Sequence, residues 1–177
     1  MENVSSTLQE IRPVSLDEVK QAFQKARSIK SSYAPFLISF FQPQTFQCLV
    51  TSLVVKETFW GKLAVCRISI TNKVKEILLE TAFGRKKFLH FVNALDDGNI
   101  DITGDQIHND KYVEIWPLRQ LNENNIDILH GVCDNLREKT QILQQRFIKN
   151  LAEVLGMTSQ ELFAYLQSGK KLRLQPC

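Results

Sequence analysis

KLAVCRISIT, residues 62–71, carries the period that decides the fold class: Ala64, Cys66, Ile68 and Ile70 fall on one side of an extended chain, Arg67 and Ser69 on the other. This alternation predicts a half-buried antiparallel strand. Immediately upstream, FQCLVTSLVVKE (46–57) is rich in β-branched residues and apolar on both faces, which predicts a strand in the middle of the same sheet. FLISFF (36–41) predicts another, and Gln42-Pro43-Gln44 and Trp60-Gly61 separate the three runs. Further upstream, Leu16, Val19, Ala22, Phe23 and Ala26 recur at helical spacing behind Ser15, with Glu18 at the capping-box position. Asp17 and Glu18 open this segment, and Lys25, Arg27 and Lys30 come late, as the helix dipole favours. The pattern predicts a helix over 16–31.

Downstream, 73–95 reads in two ways. KVKEILLETAFG can form a helix closed by Gly84, followed by a strand KFLHFVNAL, or the whole can be a β-hairpin turning at Gly84-Arg85; the first is preferred. Asp97-Gly98 signals a hairpin into NIDIT, and KYVEIWPL follows, with Pro117 placing it at a sheet edge or a strand end. From 124 the pattern is helical: Leu129, Val132, Cys133, Leu136, Leu143, Phe147, Leu151 and Val154 step by three and four, with Thr140 on the seam. No Gly or Pro interrupts 132–155. A helix of about 30 residues would run roughly 45 Å, so part of it must pack outside the sheet domain or meet another subunit. Gly156 stops it, Thr158 and Glu161 box the start of a final helix, and Gly169 ends that one.

The expected architecture is α+β: a mainly antiparallel sheet covered by an N-terminal helix, with a long C-terminal helix and a short final helix. The expected divisions are a tail (1–13), an α+β domain (14–123) and a helical segment (124–177). This order of elements is similar to that of class I secretion chaperones.

Composition limits function. The chain has 177 residues, 44% hydrophobic and 23% charged, which suits one globular unit of ordinary make-up. The N-terminus lacks the basic-then-apolar order of a secretory signal, and no apolar run reaches membrane-spanning length. Cys48, Cys66, Cys133 and Cys177 are scattered, as are His90, His108 and His130, so the spacings of a structural zinc site are absent. The four cysteines read as reduced thiols of a cytoplasmic protein, with Cys48 and Cys66 acting as small hydrophobes inside strands. No cofactor, metal or membrane is expected. Charge is uneven. Residues 54–90 carry eight Lys/Arg against three acids, 91–127 two against eight, and 128–177 seven against four. Pairing within the molecule is the plainer explanation; a charged partner or self-association is the other.

Several motifs remain. IKNLAEVLGMTSQELFAYL (148–166) resembles the helix-turn-helix motif of transcription regulators, with Ala152 at the crossing, Gly156 at the turn and Leu151, Leu155, Leu162 and Tyr165 as anchors. The resemblance implies that Thr158, Ser159 and Gln160 face DNA, with Lys170 and Lys171 on phosphates. A plain αα-hairpin is the preferred reading, because no Lys or Arg falls between 150 and 169. Arg85, Lys86 and Lys87 behind Gly84 can serve a phosphate or an acidic partner, though a solvated turn is the preferred reading. In DGNIDITGD (97–105), oxygen ligands alternate from Asp97 to Asp105, but Ile102 and His108 stand where a calcium loop needs Gly and Glu. A strand with Ile100 and Ile102 facing a core fits better. His90, between Leu89 and Phe91, reads as a half-buried strand residue, and no catalytic signature assigns a nucleophile. The leading expectation is a non-enzymatic protein-interaction or adaptor module, possibly dimeric, using Arg85, Lys86, Lys87, Leu143 and Phe147. The alternatives are a DNA-binding regulator using 148–166 and a small-molecule enzyme with a pocket on the sheet.

Overall fold

The computed structural model describes residues 10–27, 47–59, 61–70, 87–95, 98–103, 112–133 and 135–175. Among the described residues nine elements follow in order: α1 (Leu16–Ala26), α2 (Cys48–Thr58), β1 (Lys62–Ile70), β2 (Lys87–Leu95), β3 (Gly98–Ile100), β4 (Tyr112–Gln120), α3 (Glu123–Val132), α4 (Leu136–Leu155) and α5 (Ser159–Gln167). The strands form one antiparallel sheet in the order β3-β2-β1-β4, so the fold is α+β.

The main departure from the sequence reading is α2. FQCLVTSLVVKE does not form a central strand; from Cys48 to Thr58 it is a helix. Leu49, Val50, Leu53, Val54 and Val55 are all buried, together with Thr51, Ser52 and Thr58. One side of α2 packs on β2 and β1, the other on α4. A helix enclosed on every side needs no polar face, so its sequence loses the 3.6-residue period and looks like a buried strand. The interior strands are instead β1 and β2; β1 pairs with both β2 and β4, and its Leu63, Ala64 and Cys66 are all buried. The element order behind the likeness to secretion chaperones is therefore not the order found. FLISFF and 73–86 lie outside the described residues.

β4 is an edge strand, and its register against β1 shifts between Trp116 and Arg119, the stretch that holds Pro117. A proline without an N–H is tolerated at such an edge irregularity. β2 and β3 pair antiparallel, with Leu95 opposite Gly98 and Asn93 opposite Ile100, as a hairpin there requires; Asp97 itself lies outside the described residues. Before β1, a side chain at Gly61 would collide with Leu95 and stand 3.0 Å from the Ala94 carbonyl oxygen, so the close approach to β2 requires glycine.

α1 has the expected capping box: the Glu18 N–H donates to Ser15 Oγ at 3.2 Å, and Ser15 N–H to Glu18 at 2.8 Å. It ends earlier than expected, with Arg27 already extended. The predicted long helix is two. Asn135, at φ 56°, separates α3 from α4. That break removes the geometric need for a helix projecting from the domain. α4 packs instead on α1 and α2 within one core, where Phe147 stacks on Phe23 (centroids 3.9 Å apart) and meets Phe59 edge-on at 6.5 Å. From α4, Asn150 and Arg146 donate to the Ala22 and Ala26 carbonyls, closing the end of α1.

The C-terminal segment has a structural role that the sequence did not announce. Leu172 N–H donates to the Thr58 carbonyl and Val14 N–H to the Arg173 carbonyl, both at 2.9 Å, so the segment lies between the end of α2 and the start of α1. No described helix is long and apolar enough to cross a membrane.

Candidate active site

Cys48 is the first residue of α2, immediately after Gln47, whose side chain makes no capping hydrogen bond to the helix. Its thiol is free and partly exposed, whereas the residues that follow it sink into the core. The N–H groups of a first helical turn lack intrahelical acceptors, and the helix dipole concentrates positive charge there. A sulfur nucleophile is best placed at such a terminus.

Facing it is His90 of β2, whose side chain is only 3% exposed. His90 Nε2 lies 2.6 Å from Asp101 Oδ2, and the Cys48 thiol is a further hydrogen-bond partner of the same side chain. Burial alone would push the imidazole towards its neutral form. The hydrogen bond to Asp101, the contact with Cys48 and the negative charge of both outweigh it, raising His90 to about 10. Burial would likewise raise Asp101. His90 and two hydrogen bonds from Thr103 outweigh that effect and hold the carboxyl below its usual range.

Two buried contacts set the helix against the strand. Ser52, one turn beyond Cys48, donates from Oγ to the Phe91 carbonyl at 3.0 Å, and Asn93 Nδ2 donates to the Ser52 carbonyl at 2.9 Å. Phe91 and Asn93 follow His90 on β2, so these bonds fix the nucleophile's helix against the strand that carries the imidazole. Asp101 comes from the residue after β3. The expected alternation through Ile102 stops at Ile100, and 101–103 forms a turn in which Ile102 and Thr103 are both buried.

Three elements far apart in sequence thus deliver a thiol, an imidazole and a carboxylate in hydrogen-bonded series. An ordered Cys–His–carboxylate chain supplies a nucleophile, an acid–base group and the anchor that orients it. Among the described residues, no three His, Cys, Asp or Glu side chains are grouped to hold a metal ion.

A family model described as YunG protein matches residues 15–152. The chain belongs to the YunG family. The YunG match contains Cys48, His90 and Asp101, and stops inside α4, so α5 and the C-terminal segment lie beyond it. No curated protein and no solved structure matches this YunG chain.

The residues singled out from the sequence are elsewhere. Leu143 and Phe147 are fully buried in the core shared by α1, α2 and α4, so the seam read as a partner face is filled from within the chain. Thr158 caps α5 in a box with Glu161, and Ser159 and Gln160 are exposed. Lys170 lies over the Tyr165 ring at 5.3 Å. Lys171 donates to the Glu57 and Lys56 carbonyls at the end of α2 and pairs with the Glu57 carboxylate at 3.7 Å. Both lysines are thus engaged within the fold. Lys87 opens β2 opposite Ser69, while Arg85 and Lys86 lie outside the described residues.

Proposed function

We propose that this YunG-family protein is a cysteine-nucleophile enzyme acting on acyl groups, by hydrolysis or transfer at an amide, ester or thioester carbonyl. The observation that carries this reading is His90 held between the Cys48 thiol and the Asp101 carboxylate at the start of a buried helix. Cys48 Sγ attacks the carbonyl carbon, and the oxygen takes the negative charge. N–H groups of the first turn of α2 lie beside the sulfur, where such an oxyanion forms. The intermediate collapses with cleavage of the bond to the leaving group, which receives the proton carried by His90. A water or a second nucleophile then attacks the thioester, His90 takes its proton, and the thiol is restored. Asp101 keeps the ring oriented and stabilises its charged form throughout.

Among the described residues, no contact favours the adaptor or DNA-binding reading over this one. The test is to incubate the full chain with an activated ester such as p-nitrophenyl acetate and locate the acyl group by peptide mass spectrometry. Acetylation at Cys48 that is lost in Cys48→Ala and sharply slowed in His90→Ala is the expected result. Acetylation indifferent to His90 contradicts the proposal.

A further inference from the structure

Asp101 has two carboxylate oxygens and the structure uses both. Oδ2 meets His90 Nε2, while Oδ1 accepts from Thr103 N–H at 3.0 Å and from Thr103 Oγ1 at 2.9 Å. Thr103 is almost wholly buried, so its hydroxyl is not exchanging this acceptor for bulk water. The neighbouring peptide is pinned from another element: Arg27, the cap residue at the end of α1, donates from Nη2 to the Ile102 carbonyl at 3.1 Å. The strand ladder ends at Ile100, so it does not hold Asp101 in place. An ionised carboxylate accepts only, and a donor on Oδ1 stops it rotating away from the imidazole.

We propose that Thr103 is a positioning residue of the Cys48–His90–Asp101 system, its hydroxyl aiming Oδ2 of Asp101 at His90. The proposal rests on the cysteine-enzyme reading above and deepens it. The titratable and charged groups around this pair, among the described residues, are Cys48 on α2, Arg27 at the end of α1 and Cys66, which stands opposite His90 in the β1–β2 register. Thr103 acts through Asp101 and touches no reacting atom. Valine in its place keeps the shape and the backbone N–H but removes the hydroxyl donor; serine keeps both.

The experiment measures the rate of Cys48 alkylation by iodoacetamide from about pH 5 to about pH 9 in the full chain, read by peptide mass spectrometry. Thr103→Val should slow alkylation in the lower part of that range by about tenfold, the worth of one hydrogen bond to a charged group. Asp101→Asn should slow it likewise, and Thr103→Ser should follow the wild type. A Thr103→Val profile that superimposes on the wild type while Asp101→Asn is displaced overturns the inference and leaves the enzyme reading intact. A wild-type Cys48 no faster than a free thiol, or unmoved by Asp101→Asn, removes the enzyme reading and this inference with it. If Thr103→Val does not fold, Thr103→Ala carries the same expectation. If neither folds while Thr103→Ser does, the hydroxyl builds the turn rather than aims the carboxylate, and the proposal is overturned.

Discussion

Asn93 Nδ2 donates to the Ser52 carbonyl at 2.9 Å, joining the strand that carries His90 to the helix that begins with Cys48. Both residues are buried, so the bond has no competition from solvent. Asn93→Ala should cost about 1–3 kcal/mol in urea unfolding, because a buried acceptor loses its donor. It should also slow the reaction of Cys48 with small electrophiles, since helix and strand lose a shared anchor. Unchanged reactivity at reduced stability would show that the remaining contacts hold the pair in register.

The pH dependence of folding follows from His90. Its imidazole is raised to about 10, so the folded chain binds that proton more tightly than the unfolded chain does. The stabilisation is therefore complete below the ordinary histidine value of about 6.5 and is lost as pH rises towards 10. Its size is a few kcal/mol, shared with Asp101 rather than added to it. Asp101, held low, also stabilises the fold but with the opposite pH dependence, and its part is lost as pH falls through the acid range. Urea unfolding at a series of pH values should show an alkaline decline in wild type that flattens in His90→Gln.

The sheet, the capped first helix and the edge placement of Pro117 were legible because each leaves a local signature: alternation, a capping box, a missing donor. α2 was not legible. Leu49, Val50, Leu53, Val54 and Val55 are buried against the sheet on one side and α4 on the other, so no polar face marked the helical period. Once Cys48 was placed inside a strand, it had no helix terminus to make it a nucleophile. The site suffered for a second reason. Cys48, His90 and Asp101 share no motif spacing, and only tertiary packing brings them together. The one local hint was the polar pair Asp101 and Thr103 two residues apart after a short strand, which the reading of Ile100 and Ile102 as the inward face of a longer strand absorbed. The break at Asn135 was hidden too, because a non-glycine residue at positive φ is uncommon and leaves no reliable mark.

Phe147 stacks on Phe23 with centroids 3.9 Å apart, at the meeting of α1, α2 and α4. Phe147→Ala should destabilise by about 3–5 kcal/mol in chemical denaturation. Leu143→Asp, one turn earlier and fully buried, should abolish cooperative unfolding rather than change the mass in solution. A folded Leu143→Asp protein of altered mass would return that residue to a subunit interface.

The C-terminal segment should matter to folding although it lies beyond the YunG match. Leu172 is buried, its N–H bonds to the Thr58 carbonyl, and Lys171 closes the end of α2. Deleting everything after Gly169 should lower stability by at least about 2 kcal/mol, from the lost burial of one large side chain and its backbone bonds. Thermal melting of the truncated chain checks this.

The central claim is that His90 activates Cys48, and the most direct measurement is the second-order rate of Cys48 alkylation by iodoacetamide near pH 6, in wild type and in His90→Ala. At that pH an ordinary thiol with a pKa of about 8.5 is almost entirely protonated and reacts slowly. The account predicts rapid alkylation of Cys48 in the wild type, with Cys66 and Cys133 of the same chain lagging far behind. It predicts a fall of about a hundredfold or more in His90→Ala. Equal rates in the two proteins, with both folded, would contradict it.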